Sequence, residues 1–166
     1  MTECTYCDST DISQHTAPLT FQYKSENITY VCEYSICNNC GDEFVDTDQI
    51  HRNDASVREA KKAHDGLLSS TEILNARNTL GLTQTQASVI FGGGKNAFSK
   101  YERNEVSQSA SMDRLIRVCL AHPSVYSELC SQYGIQGLTQ NNGYNQGRMS
   151  AEARLPRPDI PFFKVD

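Results

Sequence analysis

The chain has no tryptophan, only 8% aromatic residues and 38% apolar residues among its 166. That is too little material for one large core and fits one medium domain or two small ones. No run approaches the ~18 apolar residues a membrane span needs. The start, "MTECTYCDST", carries neither a basic segment nor a hydrophobic stretch, so no export signal is read there. These absences predict a soluble, cytoplasmic protein with no membrane partner. A nucleotide cradle is also missing. In "IFGGGKNAFSKYE" (Ile90 to Glu102) Val89 stands where a P-loop needs its first glycine, and Asn96 follows Lys95 where Ser or Thr is required. No nucleophile–base set, carboxylate pair or open metal position emerges, and no enzyme is expected.

Seven cysteines are present, an odd number that suits metal binding in a reducing compartment better than a secreted disulfide scaffold. Cys4-x-x-Cys7 and Cys37-x-x-Cys40 form two short pairs. A two-residue spacer lets both thiolates of a turn face one ion, and two such turns close a tetrahedron, which suits one structural Zn²⁺ per chain. Gly41 follows the second pair, where a tight turn favours a residue without Cβ. Redox dithiols or two disulfides are the rival readings, but thioredoxin-type chemistry wants a βαβ setting that is not visible. Cys32, His15 and His51 are the neighbours a fifth or substitute ligand could come from. Cys32 shares parity with Tyr30 and Tyr34 and reads as a packing residue, and the histidines read as surface residues.

The long gap between the pairs fits a hairpin. Leu19, Phe21 and Tyr23 alternate with polar residues, "KSEN" turns the chain, and Ile28, Tyr30, Cys32, Tyr34 and Ile36 share one face of a second strand. A helix from about Asp48 to His64 follows, with a thin apolar stripe (Ile50, Val57, Ala60, Ala63), a solvated charged face and a stop at Gly66. Gly66, Ser69 and Ser70 are expected to form a hinge.

Five short helices are expected next. Ser69-x-x-Glu72 and Thr83-x-x-Gln86 are capping boxes that open the first two. The second carries Ala87, Ile90 and Phe91 and stops at the triple glycine. The third spans roughly Lys95 to Asn104. A fourth bears Met112, Leu115, Ile116 and Cys119, and a fifth starts at Pro123. Two short helices joined by a glycine bend describe a helix-turn-helix. At about 100° per residue, Ala97, Phe98 and Tyr101 fall on one side of the third helix and Asn96, Ser99, Lys100 and Arg103 on the other. Asn96 can take adenine N6 and N7, and Lys100 can reach guanine O6 and N7. Lys95, Ser99, Arg103 and Gln84 suit phosphates. Taken alone, such a polar face is an ordinary wet one; the capped helix and glycine bend before it favour DNA recognition. Cys119 and Cys130 read as packing residues.

Charge divides along the same lines. Residues 1–69 hold 5 Lys/Arg against 12 Asp/Glu, giving −7, and residues 70–122 hold 6 against 4, giving +2. An acidic front followed by a mildly basic middle suggests different partners.

The stretch "LTQTQASVIFGGGKNAFSKYERNEVSQSASMDRLIRVCLAHPSVYSEL" resembles the C-terminal half of the MqsA-type antitoxin family. The Cys4/Cys7/Cys37/Cys40 module resembles that family's N-terminal zinc domain, the YgiT-type zinc finger. The likeness covers about residues 1–132. It implies a homodimer formed through Xre-like helix-turn-helix domains, a palindromic operator and repression of its own operon. It also implies a zinc domain that neutralises an mRNA-cleaving toxin. Asn96 matches the family's base-reading Asn, and Lys100 falls where an Arg reads a base, without the bidentate fork of Arg. An acidic front suits a basic ribonuclease.

The expected organisation is an α+β zinc-binding domain of hairpin and knuckles with its linker helix (1–66), an all-α helix-turn-helix domain (67–132) and a polar, Pro-rich, disordered tail (133–166). The function read from this is a type II antitoxin and transcriptional autorepressor. The alternatives are a stand-alone regulator of the same build and a metal or redox sensor without a toxin.

Overall fold

The computed structural model describes residues 3–135. Strand β1 (Ile12–Tyr23) pairs antiparallel with β2 (Glu26–Cys37), and a short β3 (Glu43–Phe44) adds to the other edge of β2, in the order β1-β2-β3. The turn is the two-residue Lys24-Ser25, with Lys24 at φ 55°. Aromatic contacts cross the two strands: His15 stacks on its direct partner Tyr34 at 5.6 Å, and Phe21 meets the diagonal Tyr30 edge-on at 5.7 Å. Of the face predicted from alternation, Cys32 is buried and the rest only half so. β3 was not anticipated, being too short to show a period.

Helix α1 (Thr47–His64) forms as expected, opened by a capping box of Asp46 and Gln49. Of the thin apolar stripe, Val57 and Ala60 are half-buried while Ile50 and Ala63 are exposed, and polar side chains supply the hydrogen bonds that dock the helix. Beyond β3 the outer edge of β2 would present bare backbone groups, which a sheet must cover or hydrate. The Asn53 amide covers them: its Oδ1 accepts from Glu33 N–H at 2.7 Å and its Nδ2 donates to Glu33 C=O at 2.8 Å. Buried Gln49 donates to buried Ser35 Oγ at 2.9 Å. An edge of hydrogen-bonding groups calls for amides, not for Ile. The solvated-face reading of α1 fails at Lys62, which is 1% exposed.

Helices α2 (Ser70–Thr79), α3 (Gln84–Phe91), α4 (Ala97–Glu102), α5 (Ala110–Ala121) and α6 (Pro123–Gln132) follow. Both predicted capping boxes are present, at Ser69/Glu72 and Thr83/Gln86, and Pro123 occupies the first turn of α6. One apolar core, from Leu68 to Cys130, is built by these five helices, with Phe98, Ile73, Ile116 and Cys119 at its centre. The expected hinge is pinned. Ser69 is a cap, Ser70 N–H donates to Glu59 at 3.0 Å, and Arg117 donates to Gly66 C=O at 3.1 Å. Buried Asp113 takes Leu68 N–H at 2.6 Å while Gln108 donates to Leu68 C=O at 2.7 Å. The chain between α1 and α2 therefore has its backbone groups engaged.

The described chain runs past α6 to Ile135, whose N–H donates to Cys130 C=O at 2.9 Å and which packs on the core. The tail reading for residues 136–166 lies outside the described residues.

If amides rather than apolar contacts hold α1 to the sheet, Asn53→Ala should cost about 1–3 kcal/mol by orphaning the Glu33 backbone pair. Ile50→Ser should cost under about 0.5 kcal/mol. Chemical denaturation of the two variants checks this.

Candidate functional site

The two Cys pairs sit on turns of one design. In the first, Asp8 N–H donates to Cys4 C=O at 3.0 Å and Cys4 N–H to Ser9 C=O at 2.9 Å. In the second, Gly41 N–H donates to Cys37 C=O at 2.8 Å and Cys37 N–H to Asp42 C=O at 2.9 Å. Each turn closes on a left-handed residue, Asp8 at φ 56° and Gly41 at φ 78°. The hairpin returns Cys37 to face Ile12, just after the first turn. Asn38 ties the turns together, its N–H donating to Asp11 C=O at 2.9 Å and its Nδ2 to Asp11 Oδ1 at 2.8 Å.

The result is four sulfurs within 4.8 Å of one another. Cys4 and Cys40 Sγ are 3.6 Å apart, as are Cys7 and Cys37 Sγ. A metal–sulfur bond of about 2.3 Å in a tetrahedron gives sulfur separations near 3.8 Å, whereas a disulfide would need about 2.05 Å. The geometry fits an ion and does not fit a bridge. The electrostatics agree. Backbone N–H groups of Cys40 and then Asn39 draw the Cys37 thiol down to about 6. At Cys40 the Asp42 N–H acts downward, but the Cys7 thiol, burial and the Cys37 and Cys4 thiols outweigh it and push the group up to about 12. Without a cation Cys40 would keep a proton that it must lose to act as a thiolate ligand. Asn39 Nδ2 adds a donor 3.5 Å from Cys7 Sγ. Cys32, His15 and His51 lie outside this cluster.

In the helical part of the chain, α3 and α4 are joined through Gly92, Gly93 and Gly94, all with φ between 87° and 93°. Gly93 is the constrained one. A Cβ there would lie 2.8 Å from Ala97 Cβ and 3.1 Å from both Met112 Cε and Tyr101 Oη, so the bend packs against α4 and α5. Helix α4 is shorter than predicted, because Lys95 and Asn96 belong to the turn and Asn104, at φ 55°, ends it. Ala97, Phe98 and Tyr101 are buried, as the angular count required. Asn96, Lys95 and Lys100 are exposed and Ser99 is half-buried. Asn96 is the N-cap residue but makes no capping bond with its side chain.

Two of the predicted phosphate ligands are already engaged. Arg103 pairs with Glu105 at 2.8 Å, and Gln84 Nε2 donates to Glu102 at 2.8 Å. Glu102 is a residue the sequence reading passed over. By the same 100° rule it lies about 40° from Phe98, on the inner side. A carboxylate there signals a buried partner, and Arg77 of α2 supplies it with both Nε and Nη2, the latter at 3.1 Å. Burial pushes the Glu102 carboxyl up, but the hydrogen bonds from Arg77 and Gln84 outweigh it and hold it below its ordinary value.

A four-thiol cluster on a small sheet, followed by a five-helix unit with a glycine-bent helix-turn-helix, defines a metal-site-bearing helix-turn-helix protein. Residues 2–130 match the family described as the antitoxin component of a bacterial toxin–antitoxin system, MqsA, and the chain belongs to that family. Among curated proteins it is similar to "Antitoxin MqsA" of Escherichia coli (strain K12), 33% identical over 94 residues, which is 56% of this chain and 72% of that one. By family, then, it is an antitoxin. No helix among the described residues is long and apolar enough to cross a membrane.

Two outcomes are expected. Cys37→Ser should abolish metal retention and unfold the strands while the helices of 70–132 persist, read by metal stoichiometry with hydrogen exchange. Arg77→Ala should cost about 3–5 kcal/mol, since it strands a mostly buried carboxylate; thermal unfolding checks it.

Proposed function

We propose that this chain is the antitoxin and DNA-binding autorepressor of a toxin–antitoxin pair, acting by binding rather than catalysis. The observation that carries the reading is α4 with the turn before it, which puts Ala97, Phe98 and Tyr101 in the core and leaves Lys100 of the helix and Lys95 and Asn96 of the turn exposed. In this reading two α4 helices of a homodimer enter successive major grooves of a palindromic operator, about 34 Å apart. Asn96 and Lys100 meet base edges, while Lys95, with help from Ser99, meets phosphate. Arg103 and Gln84 reach phosphate only by leaving Glu105 and Glu102, so their contribution is the smaller.

The four-thiol cluster holds Zn²⁺ in this account, with Cys4, Cys7, Cys37 and Cys40 as ligands. The ion is structural, because four protein ligands complete its tetrahedron. Two functional units are proposed, 1–66 and 67–132, and the start of the helical core at Leu68 supports that division. The front unit, with its formal charge of −7 over residues 1–69, would hold a basic, mRNA-cleaving toxin in the cytoplasm by charge complementarity.

Asn96→Ala should cost about 1–3 kcal/mol at one base pair and relax preference there, whereas Lys95→Ala should weaken all sequences alike. Competition binding against single-base variants of the DNA upstream of its own gene separates the two. An unchanged preference in Asn96→Ala would refute the base-reading role. Pull-down from native cells with mass spectrometry tests the toxin: a small basic ribonuclease should co-purify.

A further inference from the structure

Asn104 lies two residues beyond α4 and is 8% exposed, yet it belongs to neither the base-facing set nor the apolar core. It holds φ 55°, a conformation that glycine adopts more readily than other residues. What the asparagine adds is contact with α1. Its Nδ2 donates to Ala55 C=O at 2.8 Å, its Oδ1 accepts from Lys62 Nζ at 3.0 Å, and its carbonyl accepts from Arg58. Lys62 in turn is buried and reaches Glu59 at 3.0 Å, and the same Glu59 oxygen takes Ser70 N–H. Burying an ammonium is costly unless it is paired and hydrogen-bonded, so Lys62 is committed to this place. The other end of α1 is fixed to β2 through Gln49 and Asn53, and β2 ends in Cys37.

We infer that Asn104, clasped by Lys62 and Arg58, is a positioning residue that fixes the C-terminal end of α4 and links the orientation of the base-reading helix to the four-thiol module through α1. The inference rests on α4 being the DNA-reading helix. Asn104 touches no base in this account. It sets the angle at which Asn96 and Lys100 are presented, and an error of that kind costs specific binding more than non-specific phosphate binding.

The test uses the full-length, zinc-loaded protein. Asn104→Gly keeps the left-handed turn and the backbone carbonyl that takes Arg58 but removes the side-chain bonds to Ala55 and Lys62, and Lys62→Met keeps the aliphatic stem and removes the ammonium. Binding is measured to the duplex upstream of its own gene and to a scrambled duplex of equal composition, alongside hydrogen exchange of Lys100–Glu105. Each variant should lose about tenfold in preference for the upstream duplex, with the double variant no worse than either single one, as expected for partners in one network. Exchange at the end of α4 should rise while α2 and α5 keep their protection. Unchanged preference and exchange would overturn the clasp. An equal loss on both duplexes with protection lost throughout would also overturn it, by reducing Asn104 to a general stabiliser. A wild-type chain without preference between the duplexes would sink the DNA reading itself, and the exchange comparison would then decide alone whether the clasp holds α4.

Discussion

Four thiols held within 4.8 Å of one another are a constraint before they are a site. The first half of the chain buries little hydrocarbon fully: among the described residues before Leu68, its buried hydrophobic positions are Cys4, Cys32 and Cys37, with Ile28, Tyr30, Tyr34 and Ile36 only half-buried. A hairpin with so thin an interior is marginal on its own. The two Cys turns compensate by geometry, each with the same pair of backbone hydrogen bonds and each ended by a left-handed residue. An ion shared by the sulfurs would tie the two Cys turns at the ends of the hairpin, and would thereby hold the register in which β2 offers its edge to α1.

From that edge outward the fold is joined by polar bonds. Asn53 stands in for a missing strand, Gln49 meets Ser35, and Lys62 with Glu59 meets Asn104 and Ser70. The helical half is the opposite kind of object. It has a continuous apolar core, and its polar links, Arg77 with Glu102 and Asp113 with Leu68, lie at the margins of that core. The chain therefore combines a part specified by hydrogen bonds and ligands with a part specified by packing, and α1 is bonded to both.

Much of this was legible in the sequence. Spacing alone marked the four cysteines, because chemistry at a metal needs few residues in fixed places. Capping boxes located α2 and α3, and the angular count separated Phe98 from Lys100. What escaped notice were the polar residues whose value depends on a distant partner. Asn53 and Lys62 looked like ordinary helix surface, since nothing local reveals that a sheet edge or an asparagine carbonyl lies opposite. Asn104 looked like part of α4, and only its backbone angle shows that it ends the helix. Glu102 was readable in principle, as a carboxylate on the side of Phe98 and Tyr101. The hinge reading of Gly66, Ser69 and Ser70 failed for a related reason: small residues permit flexibility, but Asp113, Gln108 and Glu59 remove it.

The scarcity of buried hydrocarbon in the sheet has a thermodynamic corollary. Heat capacity and denaturant sensitivity both scale with the apolar surface a transition exposes, and this half has little to expose. Its melting should accordingly be broad and only weakly driven by warming. With an ion bound, what would move it is the chemical potential of that ion, each tenfold change in free metal shifting the balance by about 1.4 kcal/mol once the site is near saturation. Stripped of that ion, the segment would open without baring the sticky surfaces that drive aggregation, leaving an extended, soluble chain accessible to proteolysis.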